Sequence, residues 1–564
     1  MRPLGILWSI LALLDGFAVV ATSEDSQKPR WQSDLPKSQP TRSAATTCTL
    51  PPNSAIRLSI PSSAPFDAIQ VPPDFIGFGF ETAFLPNYAV GDFSENLINS
   101  IAKRVGGPIT IRIGGTTGDR VNYTPSQLED KVCMEGDCPV GSNAAYTLGP
   151  SHFEAFTHFQ NQLMTFQAPL GPFVNINDSV EYVKRAYYAL GPQRVAAIAL
   201  GNEVDVYPGQ YNVTYTIADY VRDATALGTA ILAALDLPTD TKIFEVLDLA
   251  SPAGPGGFTV QAAVEAGRDV TPNVKYAATH WYQFPTGDIS SYTPETMQFY
   301  LLNHSAIVER FNTGYAQDLA YLSANAPQID YILSETGSSL IGPPLPFQDS
   351  FGAALWAVDF NLYAMSMGVK RVDASQRPAA PHSLWVPDDS CNDPALGAEM
   401  NVGPQVRGPW FAVPFVADFI GMSPGRIVRL LEQEMLTAYG MYDATGRLAK
   451  VAIVNLKYWS ADTGDLSEVL ERGNVTLSIP IADPAITSVY LQGLRADAGA
   501  DALGYDAAGG GQMITWAGET WSYASDNGNG HMVDRTPQNE VVEICQGSAT
   551  ISVEDSGAVM IWLR

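Results

Sequence analysis

Between residues 75 and 375 short apolar runs alternate with segments of helical periodicity. The runs are Phe75–Phe84, Pro108–Gly115, Gly171–Asn177, Val195–Glu203, Lys242–Leu249, Val274–Tyr282, Ile329–Glu335 and Val369–Ser375, and each reads as a strand. One intervening segment predicts a helix starting near Asp178, because Val183, Ala186, Tyr187 and Leu190 share a face and Gly191-Pro192 stops it. Near-continuous apolar strands separated by helices predict a parallel sheet covered on both faces, and eight repeats fit a (β/α)8 TIM barrel with insertions. An open doubly wound sheet is the alternative. No G-x-G-x-x-G follows the first strand and no Walker phosphate loop occurs, so nothing supports a nucleotide-binding version of it.

After about residue 425 the texture becomes strands and turns: Leu436–Tyr442, the turn Asp443–Gly446, Leu448–Leu456, then Val475, Leu477 and Ile479 on one face. Ala549–Val553 and Ala558–Leu563 flank Glu554-Asp555-Ser556-Gly557, which predicts a closing hairpin of an all-β sandwich. The expected organisation is residues 1–21 as signal peptide, 22–50 as linker or propeptide, 73–425 as barrel and 426–564 as sandwich. In the remaining segment, 51–72, the strand-like Ile56–Ile60 could join the β-domain.

Composition narrows the function. Hydrophobic residues make up 46% and charged residues 16%, which suits a large core. A net charge of −27 with no compensating basic run argues against nucleic acid and anionic membranes as partners. It also makes endo action on a long sulfated chain a poor fit. The apolar run Leu4–Leu14 followed by Val19-Val20-Ala21 has the layout of a secretory signal. Asn122, Asn177, Asn212, Asn303 and Asn474 each begin a glycosylation tripeptide, in keeping with secretion. Of the five cysteines, Cys133 and Cys138 could close a small loop and Cys391 could pair with Cys545, leaving Cys48. The cysteine and histidine spacing predicts no metal site, and no cofactor is expected.

In a barrel the carboxyl ends of the strands share one mouth, so polar residues ending apolar strands are the first place to seek chemistry. Glu203 ends the fourth expected strand and Glu335 the seventh. Two carboxylates across a pocket can split a glycosidic bond, one protonating the departing oxygen and the other attacking the anomeric carbon or activating water. Taken singly, each glutamate could instead be a surface residue pairing with an Arg or capping a helix.

Several ordered motifs carry a more specific resemblance: Gly77-Phe78-Gly79-Phe80-Glu81, Ile111-Arg112-Ile113-Gly114-Gly115-Thr116, Leu200-Gly201-Asn202-Glu203, His280-Trp281-Tyr282 and Ser334-Glu335-Thr336-Gly337-Ser338-Ser339. Over residues 55 to 564, β-domain included, the chain resembles glycoside hydrolase family 79, the heparanase and β-glucuronidase family. The resemblance implies a retaining mechanism, with Glu203 as acid/base and Glu335 as nucleophile. It implies sugar contacts from Glu81, Thr116 and Asn202, and a Tyr282 that orients the nucleophile. Local hydrogen bonding is the plainer role for Thr116 and Tyr282. Arg112 could position a glutamate or act as a structural counter-ion, and His280 neighbours the site without being assigned catalysis. Trp281, Trp385 and Trp410 could stack on sugar or fill the core.

The expected activity is that of a secreted, exo-acting β-glucuronidase taking a carbohydrate or glycoside substrate. A related β-glycosidase acting on a glucoside, galactoside or methylated uronate is the alternative, and a non-catalytic carbohydrate-binding wall protein a third. The family reads the glucuronate carboxylate partly through backbone amides of a glycine-rich loop after the nucleophile and through a downstream tyrosine. This chain departs there: the loop reads Ser339-Leu340-Ile341-Gly342-Pro343-Pro344, in which Gly342 could keep part of an amide nest and the prolines cannot donate. No tyrosine lies between Ser375 and Cys391, where Arg377, His382 or Trp385 could substitute.

Overall fold

The computed structural model describes residues 51–563, apart from 137, 139–140, 253, 255–256, 268–271, 285–292, 341–346, 379, 390–402, 462–470, 505–512 and 534–539. The expected signal peptide and linker, Gly342, Cys48 and Cys391 therefore lie outside the described residues.

Eight parallel strands close on themselves in chain order: β1 (Ile76–Glu81), β2 (Thr110–Gly114), β3 (Leu163–Ala168), β4 (Val195–Leu200), β5 (Phe244–Leu249), β6 (Val274–Phe284), β7 (Asp330–Ser339) and β8 (Val372–Gln376). Seven of them overlap the apolar runs read from the sequence. The third does not: β3 precedes Gly171–Asn177, which is a loop running into the next helix. Two of β3's buried residues, Thr165 and Gln167, are polar, and Gln167 Nε2 donates to Asp119 at 2.8 Å, so an apolar criterion passes over the strand. Residues 171–177 are diverted by Pro172 and by Asn175, whose side chain caps the helix by accepting from the Asn177 amide, and Phe173 points outward at 75% exposure.

The helices used below are α1 (Phe93–Val105), α2 (Ile176–Leu190), α3 (Ile217–Ala234), α4 (Phe351–Met367) and α5 (Ala412–Ile420). In α2, Val183, Ala186, Tyr187 and Leu190 face inward as their spacing requires, and Gly191 terminates it at φ 88°. The crossover after β2 carries short strands and a 3-10 stretch, Pro150–Thr157, where the repeat would place an α-helix. Within it a disulfide joins Cys133 to Cys138. Cys545 is also disulfide-bonded, but a pairing with Cys391 falls outside the described residues.

The β-domain packs two sheets face to face. The larger contains β9 (Arg426–Gln433), β10 (Leu436–Tyr442), β11 (Leu448–Asn455) and β13 (Ser488–Ala496), while the smaller pairs β12 (Asn474–Pro480) with β14 (Ser548–Glu554). The segment before the barrel joins in, Ile56 pairing with Leu477 on β12 and Ile69 with Ile427 on β9. The last strand, β15 (Gly557–Leu563), corrects the expected hairpin. It lies in the large sheet between β11 and β13, whereas β14 lies in the small one, so Asp555 and Ser556 carry the chain across the sandwich. The turn signal was real, but the two strands each found a partner in a different layer. Leu477, Ile479, Ile551 and Val553 of one sheet meet Ala438, Ile453, Val489 and Ile561 of the other in a continuous apolar core.

Helix α4 is buried nearly all round, which its sequence shows as apolar residues on every face, because it lies between the barrel and the β-domain. The seam is partly polar. Asp359 on α4 accepts from Thr437 and Tyr439 of β10, each at 2.8 Å, and pairs with His304 Nδ1 at 2.8 Å. Arg104 of α1 pairs with Asp418 of α5 and with Glu519 of the large sheet. These buried bonds tie the barrel's outer helices to the sandwich.

Truncating Leu477, which touches both sheets, is expected to destabilise the protein by about 2–5 kcal/mol. Urea denaturation of Leu477→Ala checks this, and an unchanged midpoint would mean that the two layers do not share one core.

Candidate active site

The fourth strand ends in a turn that only a few residues tolerate. Gly201 has φ 85° and Glu203 has φ 49°, and the Glu203 amide donates to the Asp248 carbonyl at 2.7 Å. A glutamate in the left-handed region costs about 1–3 kcal/mol, so the surrounding bonds must hold it there. Asp119 provides them for its neighbour: Oδ2 accepts from the Asn202 amide at 3.1 Å and from the Tyr207 hydroxyl at 2.6 Å, and Oδ1 from the Leu170 amide. Burial pushes the Asp119 carboxyl up to about 7 against the pull of those bonds.

Glu203 and Glu335 meet across His280, which β6 contributes. His280 Nδ1 lies 3.3 Å from a Glu203 oxygen and 3.9 Å from a Glu335 oxygen, which places the two carboxylates at most about 7 Å apart at those atoms. That bound admits the separation of about 5–5.5 Å of a retaining pair. Both side chains keep a window to solvent, 21% for Glu203 and 14% for Glu335, whereas His280 has none.

Glu335 is held on both oxygens. Tyr282 donates its hydroxyl to Oε1, and Arg112 reaches Oε2 at 3.3 Å. Burial raises the Glu335 carboxyl, but His280, Arg112 and the Tyr282 hydroxyl outweigh it and hold the group below the usual glutamate range. His280 responds in the opposite sense: burial disfavours its charge, but Glu335, Asp248 and Glu203 push it up to about 10, so it is an imidazolium across the physiological range.

Arg112, on β2, is shared. Its Nη2 donates to Asn202 at 2.7 Å and to Asp248 at 2.9 Å, while Nη1 serves Glu335, and Nε lies 3.6 Å from Glu245. Below it Arg371 pairs with Glu245 at 3.1 Å and Asp373 at 2.8 Å. Three buried cations, Arg112, Arg371 and His280, thus face five carboxylates, Glu335, Asp248, Glu245, Asp373 and Glu203. Burial and then Asp248 push Glu245 up to about 8, which lowers the negative charge of the cluster.

The other expected site residues occupy distinct places. Glu81 ends β1, and its Oε2 accepts from the backbone amide of Thr117 at 3.0 Å and from that residue's hydroxyl at 2.6 Å. Thr116 is half-buried and its hydroxyl makes no protein hydrogen bond among the described residues, so its neighbour Thr117 does the holding. Asn202 Oδ1 accepts from Arg112, while its side-chain Nδ2 has no protein partner among the described residues. Trp281, Trp385 and Trp410 are fully buried, Trp281 against Phe311, Tyr315 and Phe360, so all three are core. Asn122, Asn177, Asn212 and Asn474 are exposed, whereas Asn303 is half-buried and caps a helix by accepting from the Ala306 amide.

Asp248 and Glu245 were missed in the sequence. Asp248 ends an apolar strand just as Glu203 does, so the same criterion would have found it; Glu245 lies deeper in β5, where only the barrel's inward alternation marks it. Among the described residues no group of three or more His, Cys, Asp or Glu is placed to hold a metal ion, and no helix is long and apolar enough to cross a membrane.

Residues 438–560 match the glycosyl hydrolase family 79 C-terminal beta domain. A β-glucuronidase of Aspergillus niger is 28% identical over 539 residues, covering 90% of this chain and 92% of the relative. One of Neurospora crassa is 26% identical over 568 residues, covering 88% and 93%. Among solved structures, a 4-O-α-L-rhamnosyl-β-D-glucuronidase from Fusarium oxysporum superposes with a TM-score of 0.72 at 19% identity, over 90% of this chain and 100% of that one. A family 51 α-L-arabinofuranosidase from Bifidobacterium longum gives 0.59 at 13% identity, over 92% and 100%. At those identities the two structures establish a shared fold alone.

Replacing Arg112 by Met leaves Glu335 and Asp248 without their common cation, and a loss of about 3–5 kcal/mol is expected. Glu335 and Asp248 are held below their usual range in the folded protein, so the stability they contribute is full near pH 7 and lost as pH falls through their folded values. The deficit of Arg112→Met in urea titrations should therefore shrink as pH drops below about 4. A deficit independent of pH would mean that Arg112 acts by packing alone.

Proposed function

We propose that this chain, which belongs to glycoside hydrolase family 79, is a secreted retaining β-glucuronidase that removes terminal β-linked glucuronic acid from glycans or glycosides. The observation that carries the reading is the pair of carboxylates within reach of one histidine nitrogen, one of them held ionised by a cation and a phenol.

Glu335 attacks the anomeric carbon while Glu203, protonated, gives its proton to the departing glycosidic oxygen. The C–O bond to the aglycone breaks, a glycosyl ester to Glu335 forms, and the free alcohol leaves. Glu203 then takes a proton from a water that attacks the same carbon, and Glu335 departs as the carboxylate that Arg112 and Tyr282 stabilise. Asn202, whose side-chain Nδ2 has no protein partner among the described residues, donates to a sugar hydroxyl, and Glu81, fixed by Thr117, accepts from one. The glucuronyl specificity follows the named activity of the two fungal relatives, and the signal-like start of the sequence supports secretion.

Initial rates on aryl β-D-glucuronide, β-D-glucoside and β-D-galactoside test the reading. The glucuronide should be turned over in preference, with Glu203→Gln lowering the rate by about 100- to 10,000-fold and Glu335→Gln by more. Turnover of a neutral glycoside alone would overturn the substrate.

The pH profile supplies a second test. Glu335 must be ionised to attack, and its depressed value puts the acid limb of kcat/KM below about 4.3. Removing the imidazolium in His280→Asn should move the acid limb to higher pH; an unmoved limb would show that His280 does not tune the nucleophile.

A further inference from the structure

The loop that follows β8 presents two nitrogen-bearing side chains that the mechanism above does not use. The Ser383 hydroxyl donates to the Arg377 carbonyl at 2.7 Å and accepts from the Arg377 amide at 3.0 Å, which fixes Arg377 beside Ser383 just after β8. His382 packs edge-on against the Tyr282 ring at 5.4 Å, and a Cβ built on Gly337 would stand 3.3 Å from its Cδ2. It therefore lies against the strand that carries Glu335. Its side chain is buried at 6% exposure and neither ring nitrogen has a hydrogen-bond partner among the described residues. Burial pushes this histidine down to about 4 against the pull of Glu335, and Arg377 and Arg407 add to the effect, so the ring is neutral.

Arg377 is half-buried. Burial pushes Glu81 up and the charge of Arg377 is the largest influence pulling it back; the same charge acts on His382 and on the Tyr146 hydroxyl. The Arg377 backbone is fixed by Ser383 beside His382, and the side chain's charge acts on Glu81, His382 and Tyr146 alike. Arg112, Arg371 and His280 are each paired with carboxylates, among them Glu335, Asp248, Glu245, Asp373 and Glu203, but the Arg377 guanidinium makes no hydrogen bond or ion pair among the described residues.

A pocket already holding an ionised Glu335 and the carboxyl of Glu81 repels a third carboxylate. It admits one only where a cation is left uncommitted, and a half-buried guanidinium with its planar donors open matches a carboxylate. We propose that Arg377 binds the carboxylate of the glucuronyl residue, with a ring N–H of His382 as the adjacent donor. This rests on the glucuronide reading above and assigns the group that reads the uronate charge.

The test compares kcat/KM for an aryl β-D-glucuronide with that for its methyl ester, in the full-length enzyme and in Arg377→Gln, Arg377→Lys and His382→Phe. In the wild type the ratio should favour the acid. Arg377→Gln should lower the ratio about 100-fold, as expected for losing a charge-assisted contact to a buried carboxylate. Arg377→Lys should restore part of it, and His382→Phe should lower it less. A ratio unchanged in Arg377→Gln while the wild type prefers the acid would overturn the assignment and leave the glucuronide reading intact, including the case in which both substrates slow equally because Arg377 only supports Glu81. A wild type that takes neutral aryl glycosides and neither glucuronyl substrate would overturn the glucuronide reading and this assignment with it.

Discussion

A single guanidinium, Arg112, sits where four elements must agree. It comes from β2 and binds Asn202 after β4, Asp248 at the end of β5 and Glu335 on β7. An arginine without exposure is expensive to desolvate, and in a protein interior that penalty is offset only when each donor has a well-placed acceptor. The four elements are therefore not free to drift. Moving any one of them strands either a cation or a carboxylate in a low-dielectric interior, which is the costliest error a barrel core can make. The same bond that fixes the geometry also fixes the charge, since a nearby guanidinium favours the ionised form of Glu335.

The supports around that point differ in kind. Asp119 and Tyr207 brace the strained turn that aims Glu203, Tyr282 orients one oxygen of Glu335, and Thr117 clamps Glu81. These are side chains on strands and strand ends, so their positions are as rigid as the sheet. The sandwich acts at a distance. By gripping Asp359 of α4 and, through Glu519, Arg104 of α1, it holds the helices that back β7 and β1, the strands bearing Glu335 and Glu81. Its own apolar core lies between its two sheets and away from the mouth.

Much of this was legible in the sequence because apolar strands ending in polar residues are what a closed parallel barrel requires. Seven strands and the two glutamates could be read in that way, whereas Arg112, His280 and Tyr282 were singled out by the motifs of the family resemblance. The exceptions share a cause. Strand β3 carries Thr165 and Gln167 into the core, where tertiary hydrogen bonds replace hydrophobicity, so its burial leaves no apolar trace. Asp248 and Glu245 are buried charges made tolerable only by partners far away in sequence. The choice between Thr116 and Thr117 depends on one residue of backbone phase. The closing turn at Asp555-Ser556 has the same local chemistry whether its flanking strands pair with each other or with two different sheets, and only the layers already present decide.

The central claim is that Glu203 and Glu335 act from opposite sides of one anomeric carbon in two displacements, with Glu335 covalently bonded in between. Proton NMR of the first-formed product, recorded within the first minutes of hydrolysis of an aryl β-D-glucuronide and before mutarotation, reads this directly. The account predicts β-glucuronic acid as the initial anomer, decaying later to the equilibrium mixture. Initial release of the α-anomer would mean a single displacement by water, and would contradict the assignment of Glu335 as the attacking group.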